Sequence, residues 1–228
     1  MSPAVPIWRV FPDEAAVIEA AVAGIRACER ASGQAFSIVL AGGTTPLALY
    51  RRLALAPMQW PKWRVYFGDE RCLPADHPAR NSLQARQALL DQVPIRPEHI
   101  FTPPAELGPD EAASRYGAML ADAGEFDLVL LGLGEDGHTA SLFPGRDEGT
   151  APDAADVLPV FDAPKPPPQR ISLSARRLSR ARQVMFLVTG DAKREAVRRW
   201  RGGEALPAAT IAARHGVVVL ADRAACPD

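Results

Sequence analysis

Short apolar runs rich in β-favouring residues recur along the whole chain. They lie near Ile7–Phe11, Phe36–Ala41, Val65–Phe67, Leu128–Leu133, Val157–Phe161, Arg170–Ser174, Val184–Thr189 and Val217–Leu220. Most are nearly continuous in apolar character rather than alternating, as strands buried on both faces are. Helical patterns fall between them, at Asp13–Ala31, Pro46–Ala54, Asn81–Gln92, Pro109–Ala123, Ser174–Ala181 and Ala192–Arg201. Asp13 and Asn81 are expected N-caps, and Pro46 suits a first helical turn. Strands alternating with helices predict an α/β fold built on a mostly parallel sheet. No repeat or linker divides the chain, so one domain across residues 1–228 is expected. The proline-rich segment Ala163–Gln169 reads as a rigid loop rather than a hinge.

Composition narrows the class. With 228 residues, 47% hydrophobic and 23% charged, the chain can bury a core without staples. Cys28, Cys72 and Cys226 are scattered, which argues against a disulfide framework and a structural zinc site. The N-terminus shows neither a basic region nor a long apolar run, and no stretch reaches the roughly 18 apolar residues of a membrane span. A soluble, cytoplasmic protein is expected. The net charge of −1 is unevenly placed: from Lys165 to Arg201 eleven basic residues face two acidic ones. This is either a solvated arginine-rich face or an anion site, and the acidic remainder disfavours a broad nucleic-acid footprint. Only Lys62, Lys165 and Lys193 among the 26 basic residues are lysines.

In open α/β sheets ligands sit beyond the carboxyl ends of the strands, so chemistry is sought in the loops there. After Phe36–Ala41 come Gly42, Gly43, Thr44 and Thr45 before a helix. Two glycines, two hydroxyls and a helix start suit a phosphate or sugar-phosphate, or else form a plain tight turn. No P-loop lysine is present at the required spacing. Asp69, Glu70 and Arg71 come directly after the next strand. Period-2 geometry puts Asp69 and Arg71 on one side and Glu70 on the other, as a polar site floor or a salt-bridged loop. Cys72 reads as a packing residue. Gly132, Gly134 and Gly137 spell a dinucleotide fingerprint, but Pro144-Gly145 leaves no room for its long helix, so a nicotinamide cofactor is rejected. The same loop holds Asp136-Gly137-His138, a histidine placed for general acid or base work. After Val184–Thr189, Gly190 and Asp191 open a helix with Lys193 expected in its first turn, where a bound anion would offset the unfavourable dipole.

The segments LAGGTTPLALYRRL, VYFGDERCLPADHPARNS, FDLVLLGLGEDGHTASLFPG, PPPQRISLSARRLSRARQVMFLVTGDAKREAVRR and VVVLADRAA occur in the order of one known family. Together they resemble the 6-phosphogluconolactonases, within the larger group that also holds glucosamine-6-phosphate isomerase/deaminase. GEDGHTASLFPG is a specific signal; GGTTP alone is weak. The sequence departs at Ser82, after Asn81, where the family pattern has an aromatic residue. The resemblance implies a NagB-like, modified Rossmann fold with helices on both faces of the sheet. It implies hydrolysis of 6-phospho-D-glucono-1,5-lactone in the oxidative pentose phosphate pathway, with no cofactor and no metal. The implied partner is the small-molecule substrate alone, neither nucleic acid nor membrane.

On this reading His138 is the general base, Asp136 orients or polarises it, and Arg71 stabilises charge on the carbonyl oxygen. Gly42, Gly43, Thr44 and Thr45 offer donors, Asp69 positions sugar hydroxyls, and Asn81 belongs to the substrate wall. Lys193 and Arg170 bring positive charge to the phosphate. An amino-sugar-phosphate deaminase is the alternative enzyme, but it calls for an acidic residue where Phe143 stands. A sugar-phosphate sensor without catalysis is the alternative from another class, and it calls for a DNA-binding module, for which the first strand near Ile7 leaves no room.

Overall fold

Burial on both faces is what the central strands require, and the computed structural model, which describes residues 5–227, supplies it. The outermost residues of the domain expected across 1–228, namely 1–4 and 228, lie outside the described residues. The strands are β1 (Ile7–Phe11), β2 (Phe36–Leu40), β3 (Trp63–Phe67), β4 (Asp69–Arg71), β5 (Phe126–Gly132), β6 (Val157–Val160), β7 (Arg170–Leu173), β8 (Ala181–Val188) and β9 (Val217–Asp222). The helices are α1 (Glu14–Ala31), α2 (Thr44–Ala54), α3 (Asn81–Ala85), α4 (Pro109–Met119), α5 (Ala175–Ser179), α6 (Arg194–Arg201) and α7 (Pro207–Thr210). Six strands form a parallel sheet in the order β1-β9-β8-β5-β2-β3.

Alternate residues of the central strands feed two cores. On β8 and β9, Met185, Leu187, Val218 and Leu220 pack with Val17, Ile25 and Leu49 of α1 and α2. Val184, Phe186, Val217 and Val219 pack on the opposite side with Tyr116, Leu178 and Trp200 of α4, α5 and α6. Asp13 caps α1 as expected, its Oδ1 accepting from Ala16 N at 2.9 Å.

Several local expectations are corrected. Asp69–Arg71, read as a loop, is strand β4. It pairs antiparallel with β7, setting Asp69 opposite Ser172 and Arg71 opposite Arg170. The expected strands at Val157 and Arg170 exist, but with β4 they form a separate antiparallel sheet, β4-β7-β6. Asn81 is the first residue of α3 rather than its cap, because its side chain is engaged elsewhere and Glu70 takes the backbone N–H groups of Asn81 and Ser82. That helix passes into a π turn at Arg86–Leu90. Gly190 and Asp191 do not open α6 directly: a 3₁₀ turn, Asp191–Lys193, intervenes, and Lys193 is the N-cap residue rather than part of the first turn. The short α7 was not anticipated. Among the described residues no helix is long and apolar enough to cross a membrane.

Because β8, β5, β2 and β3 are neighbours running the same way, the loops after them gather at one edge of the sheet. β4 continues from β3 through Gly68 and joins this group.

Candidate active site

At the end of β2 the backbone must approach closely and then start a helix. A Cβ on Gly42 would lie 2.6 Å from Cγ of Asn81, so only glycine fits without displacing that side chain. Gly43 has φ +112°, outside the range L side chains favour, and caps α2 without a side-chain hydrogen bond. The first N–H groups of an 11-residue helix are thereby presented to the cleft. Thr45 Oγ1 lies 2.6 Å from Thr189 Oγ1 at the end of β8, tying two loops together.

On β4 the alternation expected from the sequence is realised. Asp69 and Arg71 face the cleft, whereas Glu70 is fully buried beneath it. Glu70 accepts the backbone N–H groups of Arg71, Asn81 and Ser82 and pairs with the buried Arg80, whose Nε is 3.2 Å away. Asp69 is held from two sides: Asn81 Nδ2 donates to Oδ1 at 3.0 Å and Ser141 Oγ to Oδ2 at 2.6 Å. Arg71 donates from Nη1 to Ala79 O, while its buried Nε has no hydrogen-bond partner among the described residues. Ser82, where the sequence departs from the family pattern, is buried and does not line the cleft. Burial raises the Cys72 thiol to about 11, which keeps it protonated and agrees with a packing role.

The loop after β5 is a closed turn. Gly134 N donates to His138 O at 2.8 Å, and Gly137 N to Gly134 O at 3.0 Å, with Gly137 at φ +92°. The turn folds His138 back onto Asp136, with Nδ1 and Oδ1 2.5 Å apart. Asp136 Oδ1 also accepts the His138 backbone N–H. Burial pushes the Asp136 carboxyl up, but the charge and hydrogen bonds of His138 outweigh it and leave it below its ordinary value. An ionised Asp136 binds the Nδ1–H tautomer, leaving Nε2 as the basic ring nitrogen. Ala140 has φ +48°, a conformation that costs an alanine roughly 1–2 kcal/mol. That bend brings Ser141 under Asp69. The ring of the buried Phe143 packs 4.8 Å from that of His138.

Two further segments close the cleft. Lys193 enters from the start of α6; burial lowers its pKa, Glu135 opposes the shift, and Lys165 adds to it. The proline-rich loop brings Lys165 and Pro166 to the wall. Arg170, on β7, donates from Nε to Pro167 O, from Nη2 to Lys165 O and from Nη1 to Ser141 Oγ. Its guanidinium therefore braces the loop against the Asp69 network. Burial lowers its pKa, Asp69 counteracting that.

The resulting cavity measures about 330 Å³, a size suited to a single small molecule. Among the described residues no three histidine, cysteine or acidic side chains converge as metal ligands. A cleft of this shape can bind an anionic sugar and bring one general base to it. The model of the family described as glucosamine-6-phosphate isomerases/6-phosphogluconolactonase matches residues 12–220. The chain belongs to this family. It is 38% identical over 235 residues to a 6-phosphogluconolactonase of Mycobacterium tuberculosis, the match covering 94% of each chain. Its fold superposes on the crystal structure of the 6-phosphogluconolactonase of Thermotoga maritima with a TM-score of 0.88. There the identity is 26%, over 96% of this chain and 100% of that one. A monomeric glucosamine-6-phosphate deaminase of the NagB superfamily matches with a TM-score of 0.83 at 20% identity, a likeness of fold alone. The fold is thus the NagB-like α/β arrangement that the sequence led us to expect.

Of the residues singled out from the sequence, Gly42, Gly43, Thr44, Thr45, Asp69, Arg71, Asn81, His138, Arg170 and Lys193 all line this one cavity. Asp136 stands behind His138 rather than in the wall. Sequence reasoning missed Thr189, Ser141 and Lys165. Thr189 had a signal, a hydroxyl at the carboxyl end of a strand. Lys165 had one too, as a lysine in a chain that prefers arginine.

Proposed function

We propose that the protein hydrolyses 6-phospho-D-glucono-1,5-lactone to 6-phospho-D-gluconate, a cytoplasmic step of the oxidative pentose phosphate pathway. Membership of the family and the names of its relatives support the activity. The observation that carries the mechanism is the His138–Asp136 pair in a cleft whose other walls hold Arg71 and Lys193. His138 Nε2 takes a proton from water as the water oxygen bonds to the lactone carbonyl carbon. Negative charge builds on the carbonyl oxygen, and the Arg71 guanidinium, which lines the cleft, is its counterpart. The intermediate collapses with cleavage of the bond from carbonyl carbon to ring oxygen, and the ring oxygen receives the proton back from His138.

Lys193, with the N-terminus of α2 and the hydroxyls of Thr44 and Thr45, takes the phosphate. Arg170 serves this site through the backbone it holds, since three of its nitrogens donate to protein oxygens. Asp69, fixed by Asn81 and Ser141, keeps lone pairs for sugar hydroxyls. A deaminase would need a carboxylate where the Phe143 ring packs on His138. The deciding assay follows freshly made phosphogluconolactone against its spontaneous hydrolysis, with glucosamine-6-phosphate as the comparison substrate. Acceleration of the first alone is expected. Ammonia release from the second, or binding of 6-phosphogluconate without turnover of the lactone, would overturn the proposal.

A further inference from the structure

Two of the chain's three lysines meet at one end of the cavity, and only Lys193 has so far been given a task. Lys165 Nζ lies 3.6 Å from Glu135 Oε1, which projects from the loop that carries His138. Lys165 lines the cleft, and the side chains of both partners are about half exposed. Lys193 feels both partners, since Glu135 raises its pKa and Lys165 lowers it. The three charges therefore share one neighbourhood. The main chain of Lys165 is fixed: Arg170 Nη2 holds its carbonyl at 2.6 Å and Arg170 Nε holds Pro167 O at 3.0 Å. Pro166, Pro167 and Pro168 stiffen the backbone on its C-terminal side. Its side chain, by contrast, has a single partner among the described residues, in an exposed ion pair, a type of contact worth little in water. A phosphate carrying nearly two negative charges is the stronger attractor for the same ammonium.

We propose that Lys165 is a second phosphate-recognising cation of this site and that Glu135 is its resting counter-ion, exchanged for the phosphate when substrate binds. The rigid loop pre-organises the lysine, so little ordering remains to be done on binding. Glu135 then stands as a like charge beside the phosphate and sets a limit on affinity, which helps the product leave.

This inference rests on the phosphorylated-lactone reading, and the test keeps the two apart. Wild-type turnover of the phosphorylated lactone decides that reading by itself. Given turnover, Lys165→Gln and Glu135→Gln are compared with wild type for steady-state kinetics and for calorimetric binding of 6-phosphogluconate at low and high salt. Lys165→Gln is expected to raise both KM and Kd about tenfold, with kcat within about twofold and a shallower salt dependence. Glu135→Gln is expected to tighten 6-phosphogluconate binding severalfold at low salt. An unchanged KM and Kd in Lys165→Gln, or a fall in kcat at constant KM, would remove Lys165 from phosphate recognition. Weaker binding in Glu135→Gln would show Glu135 to be a support of the lysine rather than a counter-ion it leaves.

Discussion

Asp136 Oδ1 sits 2.5 Å from Nδ1 of His138, two residues along the same turn. The glycine between them, at φ +92°, makes so short a return possible. Histidine placement and tautomer are therefore set by one local turn rather than by distant packing. His138→Ala should lower kcat by about 10²–10⁴ with the fold intact, as for loss of a general base. Lactone hydrolysis corrected for the spontaneous rate, with circular dichroism as control, measures this. A folded variant at near wild-type rate would take His138 out of the mechanism.

Asp136→Asn preserves shape but removes the charge that selects the Nδ1–H tautomer. A kcat loss in the same direction with little change in KM is expected. Stability should change with pH as well. The folded-state pKa of Asp136 is depressed, so its contribution is present above the ordinary carboxylate range and lost as pH falls through the folded value. Thermal melts of wild type and Asp136→Asn should accordingly differ at neutral pH and converge in acid. A constant gap between the two melts across that range would refute the linkage.

Burial lowers the Lys193 pKa in the free protein. The affinity for 6-phosphogluconate should then be level while Lys193 is charged. It should begin to weaken as pH rises, before the ordinary lysine range of about 10.4 is reached. Lys193→Met should weaken binding on the order of ten- to a hundredfold and remove the early part of that alkaline limb. Titrating the stable product by calorimetry avoids the lability of the lactone in base. An alkaline limb that survives unchanged in Lys193→Met would assign it elsewhere.

How far the site could be read from the chain depended on range. The turns at Gly42–Thr45 and Asp136–His138 were legible because their chemistry is local, glycines and functional side chains within a few residues. The facing of Asp69 and Arg71 was legible because strand geometry alternates. The pairing of β4 with β7 was not, since its partner lies about a hundred residues away and a three-residue polar strand carries no period. The same holds for the Ser141–Asp69 bond, across 72 residues, and for the hydrogen bonds by which Arg170 holds the carbonyls of Lys165 and Pro167. Asn81 looked like a helix cap from its position; tertiary contact with Asp69 overrode that preference.

Gly134 offers a test of the turn itself. A Cβ there would be 2.6 Å from Asp136 Oδ1 and would overlap the His138 ring. Its backbone φ lies in a range open to any residue, so Gly134→Ala has no conformational penalty to confuse the result. The expected outcome is a displaced His138, a kcat reduced at least tenfold, and near-normal binding of 6-phosphogluconate through the unaffected Lys193 end. Equal losses in both would mean that the substitution disrupts the loop as a whole.

The deepest support of the site is Glu70. It is fully buried, accepts the N–H groups of Arg71, Asn81 and Ser82, and faces the buried guanidinium of Arg80. Arg80 also reaches Leu73 O, Pro103 O and Glu106, so it would remain in place if Glu70 were lost. Glu70→Ala would then leave three donors unpaired and a buried cation without its one buried counter-charge among the described residues, Glu106 being partly exposed. Breaking a buried pair from one side costs about 3–5 kcal/mol, a large part of an ordinary domain's stability. Denaturant melts should show that loss. Glu70→Gln keeps an acceptor for the backbone donors and should fall between the two, with Arg71 still placed and kcat retained better than stability. If Glu70→Ala melted like wild type, the buried pair would be an ornament of the packing, and the positions of Arg71 and Asn81 would need another cause.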